Sequence, residues 1–214
     1  LASLELKNVS YTYPGSSELI LNNVSLKIET ERIAVLIGKN GSGKSTLSHI
    51  AAGLLKPTTG SIEVKGIPAE YKSAHTGIVF QNPDEQLLNA NVESEIAWGL
   101  ENLNIPIDEM KVRVRETLEM FNLKELSQRS PDSLSDGWKQ ITAIAAVIAM
   151  KPMFLILDEV TAFLDPHWTE RIKEIVKELS KQIGVLWITS SLKQAYWQNK
   201  IHTLQNGQIV ESEL

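Results

Sequence analysis

At 214 residues the chain is long enough for one substantial domain with a buried core, and its 43% hydrophobic and 22% charged shares are ordinary for a soluble globular protein. The absence of cysteine excludes disulfides, thiolate metal sites and cysteine nucleophiles. A net charge of −5 gives no global reason to expect nucleic-acid binding, because a nucleic-acid binder carries a basic face. The longest nearly continuous apolar run, residues 141–150, is half of the ~20 residues a spanning helix needs. Residues 1–10 alternate apolar and polar types and lack the apolar stretch of a signal peptide. Any membrane connection is therefore expected to come through a partner.

In chain order, Leu4, Leu6 and Val9 with Tyr11 and Tyr13 predict a strand that ends at Pro14-Gly15, and residues 20–28 alternate as its antiparallel neighbour. Residues 33–37 are uniformly apolar, as a strand buried on both faces requires. A glycine-rich stretch follows, then a helix to about residue 55; residues 61–64 and 77–80 read as further short strands. The middle, residues 82–150, changes character and predicts three helices. One covers 92–103 with Asn91 as cap, one 108–121, and one 137–150, apolar nearly all round and so buried. Strand character returns at 154–157 and 185–189. Between them lies a helix with Asp165 as cap, Pro166 at its first position and an apolar stripe of Trp168, Ile172, Ile175, Val176 and Leu179. Asn206-Gly207 between two strand-like runs predicts a hairpin. Strands alternating with helices imply an α/β core with a parallel central sheet, to which the antiparallel start and helical middle are additions.

The run Gly38-Lys39-Asn40-Gly41-Ser42-Gly43-Lys44-Ser45 fits G-x-x-x-x-G-K-[ST] at every fixed position, after a buried strand and at the opening of a helix. Glycines let consecutive backbone N–H groups curl round phosphates, and the helix presents its positive end to them. Lys44 supplies a cation to the phosphate oxygens, and Ser45 or Thr46 a hydroxyl to Mg²⁺. The pattern alone does not separate kinase, GTPase and ATPase. Residues 154–157 end in Asp158-Glu159, where a carboxylate at the end of a buried strand can hold the Mg²⁺ shell. Asp158 is the expected metal-side ligand, directly or through water. Glu159 is expected to orient the attacking water and accept its proton.

From these motifs onward the chain resembles the ATP-binding subunits of ABC transporters, a phosphate-loop α/β fold with an antiparallel β subdomain and an inserted helical subdomain. Residues 134–166 match that family's order of signature motif, buried helix, Walker B strand and D-loop. Gln81 stands where the family has its Q-loop glutamine, and Tyr13 where an aromatic ring stacks on adenine. The stretch Phe80-Gln81-Asn82-Pro83-Asp84-Glu85-Gln86-Leu87 looks like the subgroup that powers energy-coupling-factor importers of vitamins and transition metals. The resemblance implies one ABC ATPase domain over 1–214, with a core of 1–81 and 151–214 and a helical subdomain of 82–150. It further implies a head-to-tail dimer with ATP between one subunit's phosphate loop and the other's signature. Transmembrane subunits would dock near Gln81 and the helical subdomain, Gln81 would sit at the γ-phosphate and Mg²⁺, and the chain would work at the cytoplasmic side of a membrane.

The chain departs from the family in three places. The signature LSGGQ becomes Leu134-Ser135-Asp136-Gly137-Trp138, keeping Ser135 and Gly137 but placing a carboxylate and an indole where the partner's nucleotide is expected. The switch histidine is replaced by Ser190, which can hydrogen-bond a phosphate oxygen but supplies no cation. Val160 and Phe163 replace a usual proline and a usual small residue beside Leu164-Asp165. These changes favour a heterodimer over a homodimer, since another ATPase subunit can retain the complete set. The alternatives are a regulatory nucleotide-binding subunit with little turnover, or a soluble ABC ATPase of DNA repair or translation.

Overall fold

The computed structural model describes residues 1–66, 75–195, 197–198 and 201–212. The chain opens with β1 (Ser3–Thr12) and β2 (Leu19–Glu29), an antiparallel pair to which β4 (Thr59–Lys65) adds on the other side of β1, in the order β2-β1-β4. The parity of the buried residues changes along β1: Leu4 and Leu6 are buried, then Val9 and Tyr11. A bulge absorbs the change. The register shifts between Leu6 and Val9, where Asn8 has a left-handed φ of 49°.

The main sheet comprises β3 (Ile33–Ile37), β5 (Thr76–Val79), β6 (Phe154–Asp158), β7 (Gly184–Thr189), β8 (Ile201–Gln205) and β9 (Gln208–Ser212), in the order β5-β6-β7-β3-β8-β9. All neighbours are parallel except β8 and β9, the hairpin closed by Asn206-Gly207. Strands β6 and β7 are buried at every residue, because successive side chains enter two different cores. Leu155, Leu157, Val185 and Trp187 face one core, with the helices α2 (Val92–Asn102), α3 (Ile107–Met120), α4 (Asp136–Ala149) and α5 (Pro166–Leu179). Phe154, Ile156, Leu186 and Ile188 face the other, with α1 (Lys44–Ala51) and the antiparallel sheet. A short helix, α6 (Leu192–Ala195), follows β7.

Helices α2, α3 and α4 pack on one another, and each starts and ends within about two residues of its expected position. Helix α1 is shorter than expected. It stops at Ala51 because the amides of Gly53 and Leu54 fold back to the carbonyls of Ile50 and His49. Among the described residues, no helix is long and apolar enough to cross a membrane. Buried Glu95 on α2 accepts from the amides of Leu88 and Asn89 and from the Asn89 side chain, fixing the 86–89 loop to the helices.

The cap of α2 offers a direct check of this packing. Asn91 accepts a hydrogen bond from the amide of Ser94 at 2.8 Å. Asn91→Ala is expected to cost about 1 kcal/mol in urea unfolding and Asn91→Ser much less. Equal losses for both would show that the cap contributes nothing.

Candidate functional site

Three adjacent strands of the main sheet, β6, β7 and β3, end side by side, so the segments that leave them converge on one edge. Beyond β3 the chain forms the 38–43 loop and enters α1 through Gly43, whose φ of 99° is open to glycine without strain. A Cβ there would also press on Leu21 and the carbonyl of Ile20 at 3.0 and 3.1 Å. The loop therefore rests directly on β2.

Lys44 is the first residue of α1 and is 6% exposed. Its Nζ donates to the carbonyls of Gly38 (2.9 Å) and Lys39 (3.1 Å) and lies 3.2 Å from Oε1 of Glu159. The other carboxylate oxygen of Glu159 accepts from the backbone N and the Oγ of Ser190, each at 3.0 Å. A buried ion pair stands only when further hydrogen bonds satisfy both partners, and here both are satisfied. Glu159 itself has a left-handed φ of 53°, held by its amide bond to the carbonyl of Ile188 at 3.0 Å. Lys44, Glu159 and Ser190 thus form one cluster.

Asp158 is buried, and its Oδ2 accepts from Ser48 Oγ at 2.7 Å. Its Oδ1 is buried with no hydrogen-bond partner, which leaves a hard oxygen for a cation's water shell. Ser45, at the start of α1, exposes its hydroxyl. No group of three His, Cys, Asp or Glu among the described residues can hold a metal by itself. This donor set fits Mg²⁺, which takes one or two protein oxygens and completes its octahedron with water and phosphate oxygens. Tyr13 is 43% exposed, and its hydroxyl shares a 3.0 Å hydrogen bond with Oγ1 of Thr46, which places the ring beside the loop. Lys39, Asn40 and Gly41 are partly or fully exposed along the loop, and Ser42 Oγ is buried without a partner.

The other candidates form a second group. Gln81 is exposed just past β5. The chain on both sides of it is tied to α4: Lys139 Nζ lies 2.6 Å from Asp84, and Gln140 donates to the carbonyl of Phe80 at 3.2 Å. The Asp84 carboxylate holds the Lys139 ammonium above its ordinary range. Ser135 is the N-cap of α4 but makes no side-chain capping bond, and it and Asp136 are exposed. Gly137 is buried, because the indole of Trp168 lies against its Cα, where any Cβ would collide with the ring. Trp138 is partly buried, with its ring 5.1 Å from that of Trp168 in an edge-to-face arrangement. The Trp138 indole thus rests in part on its own chain.

Residues 21–162 match the family described as ABC transporter. The chain belongs to that family. The match to the ABC transporter family spans the phosphate loop, the Asp158-Glu159 pair and residues 134–138, while Ser190 and Tyr13 lie outside it. The energy-coupling factor transporter ATP-binding protein EcfA1 of Ligilactobacillus salivarius is 39% identical over 97% of this chain and 76% of its own length. The protein of the same name from Mycoplasma mobile is 37% identical over 98% of this chain and 79% of its length. A solved structure, cbiO1 from Clostridium perfringens, described as part of the ABC transporter complex cbiONQ, superimposes with a TM-score of 0.84 at 31% identity. It covers 97% of this chain and 86% of its own.

Several residues of the cluster carry no motif. Ser48 stands one turn beyond Lys44 on α1, a spacing that would have pointed it at the same strand ends. Gln194 accepts from Thr161 and Thr189, each at 3.0 Å, and ties the segment after Glu159 to the end of β7. Nothing in the sequence marks that bridge.

Because Lys44 is the loop's cation, Lys44→Ala is expected to weaken Mg-ATP binding by about one to two decades, the worth of a charged hydrogen bond. The change also strands the Glu159 carboxylate, so calorimetric titration is best made beside a Lys44→Ala/Glu159→Gln variant. Equal affinity in wild type and both variants would remove Lys44 from the phosphate site.

Proposed function

We propose that this chain binds and hydrolyses ATP to energise a membrane transporter of energy-coupling-factor type, as one half of an asymmetric pair of ATPase subunits. The observation that carries the reading is the cluster of Lys44, Glu159 and Ser190 beside the unpartnered oxygen of Asp158. The similarity to EcfA1 proteins and to cbiO1 supports the transporter class. Within this reading residues 82–150 form the helical subdomain that meets transmembrane subunits, with Gln81 at its border, and the remainder forms the core.

The residues suggest how the work is divided. Phosphate oxygens entering the loop compete for Lys44 Nζ with two carbonyls and Glu159 Oε1. Once Lys44 turns to phosphate, Oε1 is free to accept a proton from water, while Ser190 keeps its grip on Oε2. The water oxygen bonds to the γ-phosphorus, the bond to the β-phosphate bridging oxygen breaks, and ADP and phosphate leave. Mg²⁺, held through Asp158, Ser45 and Gln81, would neutralise charge on the β- and γ-phosphates. A tyrosine ring at position 13 would stack on the base.

Asymmetry follows from the charges. Ser190 orients Glu159 but adds no cation to the γ-phosphate. Asp136 is exposed at the start of α4, where a partner's γ-phosphate would approach. At separations of about 4–8 Å and an effective dielectric near 20, that repulsion is roughly 2–4 kcal/mol. A subunit that binds nucleotide but turns over slowly is the second reading, and Ser190, with no cation to offer at this chain's own site, favours it.

Single-site turnover decides between them when the second ATPase subunit carries an unaltered signature. Glu159→Gln is expected to abolish turnover, and Ser190→His to raise it, since one donor to developing charge is commonly worth about 10²–10³ in rate. No turnover in wild type and in Ser190→His alike would establish the regulatory reading. A separate titration follows assembly: Asp136→Gly is expected to strengthen ATP-dependent pairing. A tight wild-type homodimer with brisk turnover, indifferent to that change, would overturn the asymmetry.

A further inference from the structure

The first turn of α4 has an unusual support. Ser135 gives it no side-chain cap, and the residues that begin it, Ser135 and Asp136, are exposed. What holds the turn lies behind it. The indole of Trp168 covers the Cα of Gly137 and meets the ring of Trp138 edge to face, with ring centroids 5.1 Å apart. Trp168 also meets His167, with ring centroids 5.5 Å apart. The backbone of Trp168 is itself fixed: its amide donates to Oδ1 of Asp165, the N-cap of α5, at 3.0 Å. Both tryptophans also pack on the core shared by α2–α5.

We infer that Trp168 is a positioning residue for the segment Ser135–Gly137, holding it in register with the Leu164-Asp165 turn so that the two advance on a partner's nucleotide as one rigid piece. The inference rests on the proposed role of Ser135 and Gly137 toward that nucleotide. The geometry leaves Gly137 no other residue type, because the ring occupies the space of a Cβ. It also gives Trp138 its task. The edge-to-face contact between the two indoles closes the support, and ring pairs of this kind add to the burial of their area. Two helices that touch through rings and a bare backbone have little freedom to slide, since any shift opens a gap or a clash. A change at the Asp165 turn is therefore transmitted to the start of α4 without passing through the sheet.

Two measurements test this, on the chain alone and on the complex purified through a tag on this chain from its own cells. In the isolated chain, hydrogen exchange is read at Lys139, whose amide is bonded to the carbonyl of Ser135, and at the two residues after it. Trp168→Ala is expected to speed that exchange by about tenfold, and Trp168→Phe to restore most of the protection, as a lost ring pair implies. In the complex, Trp168→Ala is expected to raise the ATP concentration for half-maximal turnover by about the same factor. ATP affinity at this chain's own loop, read by calorimetry on the isolated chain, should stay unchanged, which a general loss of folding would not allow. Equal exchange in wild type and Trp168→Ala overturns the positioning role whatever the complex does. Faster exchange with an unaltered ATP dependence overturns its functional half. A wild-type complex with no ATP turnover, beside faster exchange in the variant, instead overturns the proposed function together with that half.

Discussion

The ion pair between Lys44 and Glu159 is the point on which the candidate site turns. Both side chains are almost wholly buried, at 6% and 8% exposure, so neither charge is solvated by bulk water. Taking two such charges out of water is costly, and their attraction compensates only where the remaining donors and acceptors are met. Here the loop supplies two carbonyls to the cation, and Ser190 supplies an amide and a hydroxyl to the anion. Lys44, Glu159 and Ser190 come from segments leaving three different strands, β3, β6 and β7. The pair can form only because β6, β7 and β3 are neighbours in parallel register, and that register in turn demands strands apolar on both faces.

The same logic explains why the site is poised rather than inert. Lys44 is held by acceptors that a phosphate resembles chemically: two carbonyl oxygens and one carboxylate. A polyanion that brings several oxygens can replace all three, and the helix dipole of α1 adds to its advantage. Glu159 then loses one of its three donors and keeps the two from Ser190. Its left-handed backbone remains fixed by the Ile188 carbonyl, so the carboxylate changes partner without changing place.

Much of this was legible in the sequence because it depends on local pattern. The apolar runs of β3, β6 and β7, the helix caps at Asn91 and Asp165, the Asn206-Gly207 hairpin and the phosphate loop all read directly. Even the bulge in β1 is written in the parity change between Leu6 and Val9. What stayed hidden were pairings between distant segments. The 59–65 strand has no period that names β1 as its neighbour. Ser48, Gln194 and Trp168 are ordinary residue types whose partners lie far along the chain. The Trp138–Trp168 ring contact was hidden for the same reason, since the two residues are thirty positions apart. Leu54 and Leu55 extended the apolar look of α1 past the point where the backbone folds back.

The departures from the family pattern acquire a physical order once placed. Ser190 orients Glu159, because an amide and a hydroxyl suffice to hold a carboxylate. It carries no positive charge toward a γ-phosphate. Under the proposed reading the start of α4 divides in the same way: Gly137 and the rings behind it fix its shape, while Asp136 adds a negative charge there. Under the proposed pairing, these two places keep a shape that can complete a two-subunit sandwich, while the stronger charge stabilisation comes from the second subunit.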